Sequence, residues 1–377
     1  MIDFSKIPSP CFVLEEKLLH QNLKKIKSVM DATDVKIILA LKGFAMHSAF
    51  DIVKQYLPGT TASSINEARL AHEEFGGEVH GYATCYFEEE FDQWTNICKH
   101  ISFNSFNQLE KFKDKAIAKG VSCGLRINPE YSEVTTDLYN PCIAGSRLGM
   151  RAKDFPEKLP EGIEGLHFHS LCENNSYTLE NTLKAVEANF GKFLPQIKWI
   201  NFGGGHLMTH KEYDIHHLTE VLKAFKSRHP HLEIIMEPGS AIAWETGYLV
   251  STVQDVFDSD GIQSAILDVS ISAHMPDCIE MPYTPKVLGV DLAKENQPKT
   301  RLGGTSCLAG DYVGDYFFPE GIKIGDRIVF NDMMHYTMVK TTFFNGVKHP
   351  AIGIWRENDT FELVREFIYE AFRDKLS

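Results

Sequence analysis

Short apolar, β-branched runs recur along the first two-thirds of the chain, and this rhythm limits its possible folds more than any other feature. They occupy 35–43 (VKIILALKG), 59–64, 79–84, 100–106, 122–129, 163–170, 198–205 and 232–239. Charged amphipathic stretches lie between them: INEARLAHEEFG at 65–76, FNQLEKFKDKAIAKG at 106–120 and HHLTEVLKAFKSRHP at 216–230. The last two close on Gly or Pro, as helices often do. This alternation implies βαβ units on a parallel sheet. Eight such runs predict an α/β fold built on a closed (β/α)8 TIM-like barrel, with a doubly wound open sheet as the alternative.

After about residue 245 the texture changes. The runs 247–257, 263–271, 325–332, 336–344 and 349–355 read as strands joined by Gly, Pro and Asp rather than by long helices. They predict a C-terminal antiparallel β domain. SPCFVLEE at 9–16 is a further strand-like run, assigned to the same domain. The expected organisation is a barrel over 33–245 and a β domain formed by 1–32 and 246–377.

The balance of 38 Lys+Arg against 51 Asp+Glu, a net −13, offers no basic footprint for nucleic acid and leaves room for a cationic substrate. No apolar run reaches the roughly 18–20 residues that span a membrane. The start of the chain lacks the basic and apolar regions of a secretion signal, and the eight cysteines match no zinc spacing. The expectation is a cytoplasmic protein with reduced thiols, no membrane partner and no metal.

Barrel active sites lie at the C-terminal ends of the strands. The first run ends in Lys42, which is either a Schiff-base lysine or a snorkelling strand-end lysine. The sixth ends in His167-Phe168-His169: a metal pair, one imidazole stacked on a flat ring, or a hydrogen-bonded core histidine. The seventh ends in Gly203-Gly204-Gly205, a phosphate nest or a tight turn. The eighth ends in Glu237-Pro238-Gly239-Ser240, whose carboxylate either holds a pyridine nitrogen protonated or caps a helix. In the β domain, 303–311 (GGTSCLAGD) is a glycine-rich loop with Cys307 and Asp311, and Tyr336 offers a phenol.

In this order, Lys, His, Gly-Gly-Gly, Glu-Pro-Gly, Cys-x-x-x-Asp and Tyr make the chain resemble the fold-type III pyridoxal-phosphate decarboxylases, related in architecture to alanine racemase. The resemblance runs from Pro8 nearly to the C-terminus. It implies pyridoxal 5′-phosphate carried on Lys42, stacked by His169, held by Gly203, Gly204 and Gly205, and partnered at its ring nitrogen by Glu237. Tyr336 then reaches the phosphate, and Cys307 and Asp311 are lent by the second subunit of a homodimer with shared active sites. Arg126-Ile127-Asn128-Pro129 and Ser146-Arg147-Leu148-Gly149-Met150 match the fifth-strand region.

Three departures refine the resemblance. Ser240 stands where arginine is usual, Leu308 where an acid usually follows the cysteine, and Leu171-Cys172-Glu173-Asn174 where Gly-Ser is usual. With AHMPDCIEMPY at 273–283, these look like the carboxynorspermidine/carboxyspermidine decarboxylase branch. That implies decarboxylation yielding norspermidine or spermidine in polyamine biosynthesis. Cys307 would return a proton to the α-carbon, with Asp311, Asp277, Glu280 and Glu173 as candidate partners for substrate ammonium groups. A diaminopimelate- or ornithine-type decarboxylase and an amino-acid racemase of the same fold are the alternatives; a racemase would keep the ring nitrogen unprotonated, which Glu237 opposes.

Overall fold

The computed structural model describes residues 2–377. The chain divides into two compact units: Asn22–Ile242, and the residues before Asn22 together with Ala243–Ser377. The divisions fall at 21/22 and 242/243, against 32/33 and 245/246 expected from the sequence.

In the first unit, parallel strands follow the order Lys36–Ile37, Glu233–Met236, Trp199–Asn201, Ile163–His167, Ser122–Arg126, His100–Phe103, Glu78–Tyr82, Gly59–Ala62 and Leu39–Ala40. The two ends of this sheet are halves of one strand interrupted at Ile38. Its first half pairs with Glu233–Met236 and its second with Gly59–Ala62. Ile38 N–H and Ala40 N–H continue the ladder by donating to Met236 O and Pro238 O. The ring therefore closes, as the eightfold rhythm requires.

The helices between strands start at polar caps. Ser64 Oγ accepts from Glu67 N–H while Glu67 Oε2 accepts from Ser63 N–H, and Ser105, Asn175 and Asp214 cap Phe106–Ala118, Ser176–Phe190 and Ile215–Arg228. One crossover contains no α-helix. Between Arg126 and Ile163 the chain forms a loop with short turns at Asp137–Tyr139 and Ala152–Asp154. Its Pro- and Asn-rich sequence satisfies carbonyls from side chains: Asn128 Nδ2 donates to Pro141 O and Asn140 Nδ2 to Val134 O.

The second unit is a mainly antiparallel sheet. Cys11–Glu15 lies between Gly247–Ser259, antiparallel, and Ala351–Trp355, parallel. The N-terminal strand thus completes this sheet, and Cys11, Val13, Val250, Val329 and Trp355 pack into its core. Ile262–Leu267 and Thr300–Gly303 form a second parallel pair. The run 336–344 is not a strand: it opens with the short helix Tyr336–Val339 and ends in a turn at Phe344–Gly346. Its β-branched residues favour pleated surfaces only where a partner strand is available; here Thr342 N–H bonds to Ala273 O, and Lys340 is drawn to Asp277 and Glu280. Among the described residues no helix is long and apolar enough to cross a membrane.

Candidate active site

A cavity of about 630 Å³ opens at the C-terminal ends of the barrel strands. Lys42, Arg126, His167, His169 and Glu237 line it, with the loop around Asp137–Arg147 along one side.

Lys42 follows the closing strand half and stands 3.1 Å from His169 Nε2. Gly204 N–H donates to His169 Nδ1 at 3.0 Å, so the neutral ring carries its proton on Nε2, facing Lys42. That proton needs a lone pair on Nζ, which only the neutral amine has. The electrostatics agree: loss of solvation, then the Arg126 guanidinium, pull the Lys42 ammonium below its usual range, with Glu237 partly opposing. Loss of solvation, with the Arg126 guanidinium nearby, likewise holds His169 neutral.

Arg126, 3% exposed, lies over the Tyr82 ring at 4.5 Å and donates from Nη2 to His169 O at 3.1 Å. The stacked ring and this carbonyl hold a cation against the lysine without neutralising it.

Glu237 is buried and held from two directions. Asn201 Nδ2 donates to Glu237 Oε1 at 2.6 Å, and Glu237 N–H donates to Gly203 O at 2.8 Å. Asn201 Oδ1 also accepts from Gly203 N–H, so one side chain ties the carboxylate to the glycine loop. His167 Nε2 lies 3.7 Å from the other carboxylate oxygen, and neither His167 ring nitrogen has a hydrogen-bond partner among the described residues. The two histidines therefore serve different neighbours, His167 beside Glu237 and His169 beside Lys42.

The glycine loop packs against neighbouring backbone so closely that side chains would clash. Gly203 and Gly205 adopt φ of 67° and 84°, and a Cβ on them would stand 2.4 Å from Phe168 O and 2.0 Å from Leu171 O. An amine kept neutral, a flat imidazole and a fixed carboxylate around one cavity fit pyridoxal phosphate. Ser240, 7% exposed, begins the short helix after this cluster, and Glu173 stands exposed at φ 50° in the loop after His169.

In the second unit, Cys307 and Leu308 are exposed at the tip of a loop whose base is tied by Asp311. Asp311 is 4% exposed; Oδ1 accepts from Ser270 Oγ and Ser272 N–H, and Oδ2 accepts from Ser306 N–H. A carboxylate so engaged braces the loop, which differs from the ammonium-binding role expected from the sequence. Asp277 and Glu280 each accept from Lys340 Nζ at 2.6 Å. The Tyr336 ring lies 5.6 Å from the same ammonium.

Sequence reasoning did not assign functions to Arg126, Tyr82 or Asn201. Their partners lie on other strands, so only Arg126, as part of the RINP run, carried a signal.

A family model for the pyridoxal-dependent decarboxylase C-terminal sheet domain matches residues 12–334. The chain is 52% identical to a carboxyaminopropylagmatine decarboxylase from Synechocystis sp., covering 99% of this chain and 96% of the relative. It is 43% identical to a carboxynorspermidine/carboxyspermidine decarboxylase from Campylobacter jejuni, covering 98% of each. The crystal structure of a C. jejuni carboxynorspermidine decarboxylase complexed with norspermidine superposes with a TM-score of 0.91 at 41% identity, covering 98% of this chain and 100% of that one. Diaminopimelate decarboxylase from Helicobacter pylori shares the fold, with a TM-score of 0.81 at 16% identity over 99% of this chain and 98% of that one. With this coverage and the cradle built around Lys42, the chain belongs to the pyridoxal-phosphate-dependent decarboxylases of fold-type III.

Proposed function

We propose that this decarboxylase acts on a carboxylated polyamine precursor, carboxyspermidine or carboxynorspermidine, and releases spermidine or norspermidine. The observation that carries the reading is full-length similarity to the norspermidine-complexed C. jejuni structure. A second reading is carboxyaminopropylagmatine, favoured by the 52% identity to the Synechocystis relative. The substrates share a carboxylated carbon bearing an amine and a cationic tail; the tail ends in an ammonium in the first two and in a guanidinium in the third. CO₂ release measured across all three, with ornithine and diaminopimelate alongside, tests the reading. A higher kcat/KM for either small diamino acid overturns it.

Lys42, His169, Gly203, Gly204, Gly205, Glu237 and Tyr336 would hold pyridoxal phosphate. When bound, the cofactor supplies the sink for the electron pair left as the carboxylate departs as CO₂. Lys42 enters as a neutral nucleophile because desolvation and then Arg126 disfavour its ammonium form. Glu237, fixed by Asn201, keeps a proton on the ring nitrogen. Cys307 returns a proton to the α-carbon. Asp277, Glu280 and Glu173 are the acids we assign to substrate ammonium groups, while Asp311 holds the loop carrying Cys307.

The working form in this reading is a cytoplasmic homodimer with shared active sites, the β unit contributing Cys307. Leu308, Tyr312 and Phe344, each 45–47% exposed, and Ile368 and Tyr369, 66% and 67% exposed, give that unit apolar surface for a second copy. Inactive Lys42→Ala and impaired Cys307→Ala subunits, mixed at random, should recover roughly a quarter of wild-type activity through hybrid sites. No recovery from demonstrated hybrids overturns the shared site.

A further inference from the structure

The loop carrying Cys307 has two anchors, and only one is its own. The base is closed by Asp311 through Ser270, Ser272 and Ser306, together with the bond from Gly304 N–H to Asp311 O. The tip is held from outside: Cys307 N–H donates to Asn345 Oδ1 at 2.7 Å.

Asn345 sits in a turn that constrains its residue type. Its φ is 59° and that of Gly346 is 66°, a left-handed pair that glycine and asparagine tolerate best. The turn is closed by the bond from Gly346 N–H to Phe343 O. Apolar neighbours hold it in place. Phe343 packs against His349 and Phe367, with ring centroids 5.3 and 6.1 Å apart, and Phe372 of the C-terminal helix Tyr369–Leu376 lies against Gly346. Glycine at 345 would satisfy the backbone equally well. Asparagine adds an acceptor aimed at the amide of the residue carrying the thiol.

We propose that Asn345 is a positioning residue for Cys307: presented by this turn, its side-chain amide fixes the loop tip and so the direction of the thiol. The inference rests on Cys307 as the group that returns the proton. In that step the S–H bond breaks, the proton bonds to the carbon that lost CO₂, and the thiolate regains a proton from solvent. A tip free to swing would lengthen that transfer without altering substrate capture. Through Phe372, the C-terminal helix then supports the turn that holds the loop tip.

The test is a double-mutant cycle on the holoenzyme. Asn345→Gly keeps the backbone conformation and deletes the amide; Asn345→Asp keeps an acceptor oxygen. Asn345→Gly should lower kcat about tenfold with KM within about twofold, and raise the solvent deuterium isotope effect on kcat. Melting temperature should stay within about 2 °C. Asn345→Asp should restore most of kcat. In a Cys307→Ala background, Asn345→Gly should cause no further loss, because both substitutions act on one step. An equal loss in that background overturns the proposal, as does unchanged kcat for Asn345→Gly beside an impaired Cys307→Ala. A Cys307→Ala enzyme with wild-type kcat removes the reading of Cys307 itself, and the positioning role with it.

Discussion

The barrel and the β unit prepare chemical groups in opposite ways. In the barrel, Arg126 and Glu237 are buried, Lys42 and His169 border a cavity, and their protonation is set by lost solvation and close charges. In the β unit, Cys307 is exposed, and what surrounds it is scaffolding: the Asp311 clasp below and Asn345 beside the tip. The first unit tunes acidity and the second fixes direction. Substitutions in the barrel should therefore change what a group is, and substitutions in the β unit where it points.

The sharpest attempt to break this contrast is removal of the amine. Lys42→Ala should abolish borohydride-trapped cofactor and lower kcat by on the order of 10⁴ or more. A trapped adduct on another lysine would move the site. Next is Glu237→Gln, which keeps the bond from Asn201 yet cannot hold a protonated ring nitrogen by charge. Cofactor should remain bound while kcat falls about a hundredfold. Near-native turnover in that variant ends the assignment.

The sequence reveals the two units unequally. Barrel strands announce themselves because burial on both faces demands continuous apolar runs, and strand ends point to Lys42, His169, the glycines and Glu237. The supports of those residues are hidden, because Asn201, Tyr82 and Arg126 act across strands and pairing register is not written locally. In the β unit, 336–344 has strand composition but turns helical, and the Asn345-Gly346 pair just after it signals a turn without revealing the partner at Cys307. The role of Asp311 is similarly masked, since an acid in a glycine-rich loop reads alike whether it faces a ligand or its own backbone.

Burial also predicts how the barrel fails in acid. His100 is 6% exposed, lies 4.2 Å from His80 between ring centroids, and is pushed down to about 2 by burial and then by His80. An unfolded histidine titrates near 6.5. The lowered folded value means its contribution is fully present above pH 6.5 and is lost as pH falls toward 2. At pH 5 the loss from this group is about 2 kcal/mol, or roughly thirtyfold in the folding equilibrium. His100→Phe keeps a ring and removes the titration, so its stability should decline less between pH 7 and pH 5 in urea titrations. Parallel declines for variant and wild type would remove His100 as the cause.

The smallest expected effects lie in the β unit, where an acid pair already has a counter-ion. Lys340 Nζ bridges Asp277 and Glu280, leaving about one negative charge between them. A substrate ammonium arriving there shares carboxylates rather than finding them free, which lowers its gain below the roughly 1.5–3 kcal/mol of an undivided charged hydrogen bond. Asp277→Asn should therefore raise KM for carboxyspermidine about tenfold. Glu280→Gln should raise it less, because the Glu280 side chain is 50% exposed against 10% for Asp277, and water and salt screen it. Lys340→Met should act in the opposite sense, lowering KM by freeing both acids, at some loss of stability from the unpaired Asp277. That reversal separates a substrate site from an internal ion pair. If both acid substitutions leave kcat/KM unchanged, the acids serve Lys340 alone, and the tail is read elsewhere, with Glu173 the remaining acid assigned to it.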